Sequence, residues 1–112
     1  MKSRAAMPAG EREARSRLAQ LAHAGEFLRG NLTLMRHACG KASCHCARGE
    51  KHESWYLCYS QEGRKQMISV PREMLPRVRE WIARHRRAKG CLETLSALGL
   101  RRLRQAKQEA SR

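Results

Sequence analysis

The sequence predicts an α+β fold: an N-terminal helix, a Cys-rich zinc loop with a small antiparallel β-hairpin or three-stranded sheet, and a long basic C-terminal helix or helix pair. Three observations carry this. Leu75, Val78, Ile82 and His85 recur at the three-to-four spacing of a helix face. The aromatic run from Trp55 to Ser60 is followed by Gln61-Glu62-Gly63-Arg64 and a second β-type run from Gln66 to Val70. That pattern is a hairpin, because Gly accepts the backbone angles that a tight turn needs. Finally, Cys39, Cys44 and Cys46 fall within eight residues of a polar, Gly-containing stretch.

In chain order, residues 1–10 carry Pro8 and Gly10 without a hydrophobic pattern, and are expected to be a flexible N-terminus. From Glu11 to about Arg29 the pattern is helical, with Leu18, Leu21, Ala22, Phe27 and Leu28 as apolar positions and Gly30 as the C-terminal stop. Asn31 to Met35 alternates as a short strand, with Leu32 and Leu34 on one face. Residues 37–53 form the Cys-, His- and Gly-rich loop, and the hairpin follows. Pro71 ends the hairpin and opens a helix, since its missing N–H costs little in a first turn. Leu92 and Leu95 resume the apolar pattern after Gly90. Leu98-Gly99-Leu100 is expected to break the helix before a short basic one that ends near Glu109. Residues 11–70 thus make a helix plus zinc-loop and hairpin module. Residues 71–112 make a basic helical segment of the same domain, since 112 residues suit one domain rather than two.

The charge is extreme: 24 Lys+Arg stand against 10 Asp+Glu, a formal net charge of +14. Self-repulsion of this size destabilises a compact state unless a polyanion screens it. Nucleic acid is the commonest such partner, ahead of an anionic membrane surface. Arg outnumbers Lys 18 to 6, and the Arg fork suits phosphate and guanine. Residues 71–112 hold 12 basic and 4 acidic groups, so the excess sits towards the C-terminus. Asp is absent, and the Glu residues are scattered. Two-metal nucleases and transposases need clustered carboxylates. No nucleophile–base pair and no phosphate-binding Gly loop stands out either, so the expectation is a protein that is not an enzyme.

Met1-Lys2-Ser3-Arg4-Ala5-Ala6-Met7-Pro8 lacks the apolar core of a signal peptide, and no apolar run approaches spanning length. The expectation is a cytoplasmic protein without a membrane partner. There clustered Cys points to metal rather than disulfide. Cys39, Cys44, Cys46 and His52 have the spacing C-x4-C-x-C-x5-H. Four N/S ligands match one structural Zn2+ per chain. Lys41, Arg48 and Lys51 favour the thiolate form of their neighbours. His45, His37 and Cys58 compete with His52 for the fourth position. A redox-sensing thiol cluster and unliganded reduced Cys remain as alternatives. Cys58 and Cys91 read as packing residues.

The stretch from Arg29 to about Arg87 resembles a family of small bacterial proteins found near mobile elements, for which no activity is known. The shared features are Arg29-Gly30, Cys39-Gly40-Lys41, Cys44, Cys46-Ala47, Gly49 and His52, then Trp55-Tyr56 and Val70-Pro71 before a basic helix. The sequence departs from the family after His52, where Glu53-Ser54-Trp55 replaces the usual Gly-Pro-Tyr. The resemblance implies a metal loop and an accessory role beside a mobile element.

The residues lead to a nucleic-acid-binding protein, with DNA placed ahead of RNA. Arg77, Arg84, Arg86, Arg87, Lys89, Arg101, Arg102 and Arg104 of the helices, with Lys41 and Arg48 of the loop, are the candidate contacts. Trp55, Tyr56 and Tyr59 either stack on bases or pack against the helix, and packing is preferred because the core is small. The alternative is a protein-interaction subunit that docks through the helices onto a larger partner or a second copy. His85, Lys89, Ser96 and Gly99 interrupt the apolar seam that a long zipper would need.

Overall fold

The computed structural model describes residues 7–37 and 52–111, with His37 and His52 described by backbone alone. The order is α1 (Ala9–Ala22), β1 (Asn31–His37), β2 (His52–Gln61), β3 (Arg64–Val70), a 3-10 turn (Arg72–Met74) and α2 (Leu75–Ala110). The fold is α+β, with an N-terminal helix, a three-stranded antiparallel sheet and a long C-terminal helix. Among the described residues no helix is long and apolar enough to cross a membrane. The chain divides into two compact units, residues 28–82 and residues 1–27 with 83–112.

The first unit is built on β2, the central strand in the order β1-β2-β3. β2 and β3 meet through a two-residue loop in which Glu62 and Gly63 have φ of 53° and 78°. Positive φ at both centres marks a turn whose twist matches that of a hairpin. Side chains alternate along a strand, so Trp55, Leu57 and Tyr59 share one face. Leu57 is buried with Val78 and Ile82 of α2, and Leu28, Leu32, Tyr59, Val70, Met74 and Trp81 pack around them. Truncating so central a residue as Leu57 to Ala costs about 2–5 kcal/mol. Leu28 N–H donates to the Trp81 carbonyl at 3.2 Å, and the Arg29 guanidinium donates to the Ser60 carbonyl at 2.8 Å. Gly30, at φ +147°, lies against β2: a Cβ there would stand 2.7 Å from the Cys58 carbonyl oxygen. Only Gly fits that approach.

The second unit pairs α1 with the C-terminal part of α2. Glu11 and Ala14 are buried on α1, and Leu18 and Leu21 are half-buried one and two turns on. On α2 the facing positions are Arg84, Ala88 and Cys91, all buried, then half-buried Leu95, Leu98 and Arg102. Their spacing of four, three, four, three, four keeps them on one side of the helix. Gly10, Ala14 and Arg17 share a groove with Thr94, Cys91 and Arg87, so the two helices run antiparallel.

The strands extend beyond the sequence expectation, β1 to His37 and β2 from His52, into the stretch expected to be a loop, and β3 starts at Arg64. The helices differ at three places. Helix α1 begins at Ala9, inside the stretch expected to be flexible; residues 1–6 lie outside the described residues. It ends at Ala22 rather than near Arg29, and Gly25 has φ +150°. The segment past this end is held from far along the chain. Arg84 Nη1 donates to the Glu26 carbonyl at 2.6 Å, and its guanidinium fills the space where a Gly25 side chain would stand. Third, α2 runs through Leu98-Gly99-Leu100 without a break. Gly inside a helix costs only about 1 kcal/mol relative to Ala, and Leu95, Leu98 and Arg102 anchor the helix on both sides of Gly99.

The buried polar contact of this unit is an ion pair. Glu11, its side chain 4% exposed, accepts hydrogen bonds from Arg102 of α2 and from Arg15 one turn along α1. Donation from Arg102, reinforced by Arg15 and opposed by burial, holds the Glu11 carboxyl well below the usual range, at about 2. A depressed carboxyl pKa contributes stability that is present above its unfolded value and lost as pH falls through the folded one. Thermal melts should therefore show stability falling as pH drops from about 4.5 towards 2. Glu11→Gln should be less stable at neutral pH and should lose this contribution to the pH dependence. A wild-type melting temperature that stays flat over that window would contradict the assignment.

Candidate nucleic-acid interface

The cations named from the sequence separate into structural and surface groups. Arg84 and Arg102 are engaged inside the helical unit. Arg84 is buried against Gly25 and the Glu26 carbonyl, and Arg102 is half-buried and paired with Glu11, which raises its pKa. Within the helical unit Arg84 is engaged by the segment that follows α1, and Arg102 by Glu11 of α1. Arg86, Arg87, Lys89, Arg101 and Arg104 are exposed on α2 in the helical unit, and Arg77 is exposed in the sheet unit. Arg86, Arg87 and Lys89 occupy one turn, and Arg101 and Arg104 lie about 21 Å further along the helix. Only Glu93 carries negative charge between these clusters.

Three of the acids outside α2 are engaged by arginines. Glu11 is held by Arg102 and Arg15, Glu13 pairs with Arg17 at 3.1 Å, and Glu53 pairs across strands with Arg36 at 2.9 Å. The excess of positive charge is thus left on exposed side chains, and α2 carries a large share of it.

The aromatic residues, which the sequence left as a group, fall on opposite faces of the sheet. Tyr59 packs against the core, and Arg79 stacks over the Trp55 ring at 5.2 Å from its centroid. Tyr56 lies between Trp55 and Leu57 on β2 and so points to the other face. Strand parity was the available signal for this division. Cys58 shares the Tyr56 face, and its thiol lies 3.7 Å from Thr33 Oγ1. Cys91 is buried between the helices.

Cys39, Cys44, Cys46, Lys41 and Arg48 lie outside the described residues. The backbone on either side is described: β1 and β2 pair antiparallel down to His37 and His52. The residues that flank the Cys-rich segment, His37 and His52, are therefore cross-strand neighbours. Among the described residues alone, no group of three potential ligands comes together.

An apolar cleft of about 400 Å³ opens beside the core of the sheet unit, lined by Leu28, Ile68, Val70, Met74 and Trp81 among others. Arg29 is the charged residue on its lining, and its guanidinium is engaged by the Ser60 carbonyl.

No curated protein and no solved structure matches the chain. A family model does match residues 9–80, which contain α1, the whole sheet and the start of α2. The chain belongs to this family, a domain of unknown function designated DUF6788.

Proposed function

We propose that the protein is a small nucleic-acid-binding module whose Cys-rich segment is clamped by one structural zinc ion, serving as an accessory factor of a mobile element. The observation that carries the reading is the row of exposed cations on α2: Arg86, Arg87, Lys89, Arg101 and Arg104, in a chain of net charge +14. Such a row binds the phosphate backbone, and binding relieves the self-repulsion of the free chain. DNA is the favoured polyanion, read through its backbone rather than through base edges. The zinc reading rests on the spacing of Cys39, Cys44, Cys46 and His52, and is supported by the closure of the segment between His37 and His52. A closed four-ligand site contributes to folding, not to catalysis.

A second reading has one observation in its favour. Leu92, Leu100 and Leu103 are exposed on α2, with Leu103 64% accessible. They leave an apolar stripe on the helical unit that a protein partner or a second copy would cover.

Protein purified without added zinc should contain about one zinc per chain. Cys44→Ser should lose both the metal and the folded sheet; a metal-free chain with intact folding would refute the clamp. In salt titrations, about five phosphate contacts imply a log–log slope of about −4 to −5 on duplex DNA. Arg101→Ala and Arg104→Ala should each reduce that slope by about 1, uniformly across sequences. Binding that is absent or flat with salt would sink the nucleic-acid reading. For the second reading, light scattering should show an assembly that Leu103→Glu dissolves, and a monomer at all concentrations would rule out self-association.

A further inference from the structure

The outer face of the sheet, centred on Tyr56, has no part in the core and no assigned role. By strand alternation and register it carries Asn31, Thr33 and Met35 of β1, Ser54, Tyr56, Cys58 and Ser60 of β2, and Lys65, Met67 and Ser69 of β3. Thr33 and Ser69 flank Tyr56 directly across the strands, and Met35 and Met67 stand diagonal to it. The face is open. Thr33, Met35, Ser60, Lys65, Met67 and Ser69 are exposed, with Met35 39% and Met67 50% accessible.

Its charge is as informative as its shape. The chain has ten Glu residues, and none lies at these positions. The opposite face carries Glu53. Lys65 is the charged residue of the outer face, so its sign suits a polyanion and disfavours a basic partner. An aromatic ring at the middle of an open antiparallel sheet, among small hydroxyl residues and flexible Met side chains, offers a base a stacking surface without steric walls. Duplex bases are already stacked on one another and cannot use such a ring, whereas unpaired bases can.

We propose that the Tyr56 face binds single-stranded nucleic acid by stacking an unpaired base on the Tyr56 ring, with Met35 and Met67 bordering it and Lys65 on the phosphate backbone. This rests on the nucleic-acid reading above and deepens it: the sheet selects single strands, and the cations of α2 supply affinity for phosphate in general. Sequence preference is expected to be weak, because every base has a π-face.

The test compares a fluorescein-labelled 12-nucleotide single strand with a labelled hairpin duplex, by anisotropy, using the full chain with its metal. Stacking is worth about 1–3 kcal/mol per base, so Tyr56→Ala should weaken single-strand binding about 5-fold to 100-fold and leave duplex affinity within twofold. Tyr56→Phe should keep single-strand affinity. Met67→Glu places a carboxylate on the face at an exposed position outside the core, and should weaken single-strand binding even if Tyr56→Ala fails to fold. Single-strand affinity that Met67→Glu and Tyr56→Ala leave unchanged would overturn the platform while the nucleic-acid reading stands. Equal losses on single strand and duplex would also overturn it. A wild-type chain that binds neither probe would remove both.

Discussion

Pairing of β2 on both of its edges is the constraint on which the sheet unit depends. Once the register sets Leu57 between Leu32 and Ile68, alternation leaves no choice for the rest of the strand. Trp55 and Tyr59 must join Leu57 on the side of α2, and Tyr56 and Cys58 must face the other way. The same register carries the β1–β2 ladder down to His37 and His52, and so brings together the two ends of the Cys-rich segment. A slip of one residue would bury Tyr56 and expose Leu57. Core, open face and segment closure are three results of one pairing.

The helical unit solves a different problem. It has few large apolar residues to bury, and it uses guanidiniums in their place. Arg84 fills the space above Gly25 and caps the Glu26 carbonyl, while Arg102 meets Glu11 across the helix pair. A buried ion pair is weak evidence of net stability, because desolvation offsets much of the attraction. What it supplies is position: removing Arg102 leaves the buried Glu11 carboxylate with Arg15 alone. Two arginines are thus engaged inside the helical unit, and the exposed cations of α2 stand on a helix paired with α1.

Local signals made much of the fold legible in the sequence. The β2–β3 hairpin follows from Glu62-Gly63 between two β-rich runs, and the start of the last helix from Pro71 and the Leu75, Val78, Ile82 spacing. What was not legible depends on contacts far apart in the chain. Gly25 itself weakens a helix through this point, but nothing near it reveals that Arg84, 58 residues on from Glu26, will hold the Glu26 carbonyl. Nothing near Gly99 reveals the anchoring that carries α2 through it. The candidate interface divides in the same way. Composition revealed an excess of Arg, but not which Arg is structural, since Arg84 and Arg86 look alike until the helix has a neighbour. The three aromatics could be divided only when one parity of β2 was assigned to the core. The proposed zinc site rests on spacing alone, beside the pairing of His37 with His52.

Charge then links folding to function. A chain of +14 folds against its own repulsion, with a core of a few buried side chains per unit. Any partner that binds the folded form alone stabilises it, by about 2.7 kcal/mol at a hundredfold excess over the dissociation constant. Against a total stability of about 5–15 kcal/mol, that is a large increment. Salt acts in opposite directions on the two states. It screens repulsion in the free chain and stabilises it, but it weakens attraction to a polyanion. A protein that held its fold by apolar packing alone would show neither effect. On the proposed reading, the surface cations that make this chain costly to fold are the same ones that would meet a polyanion.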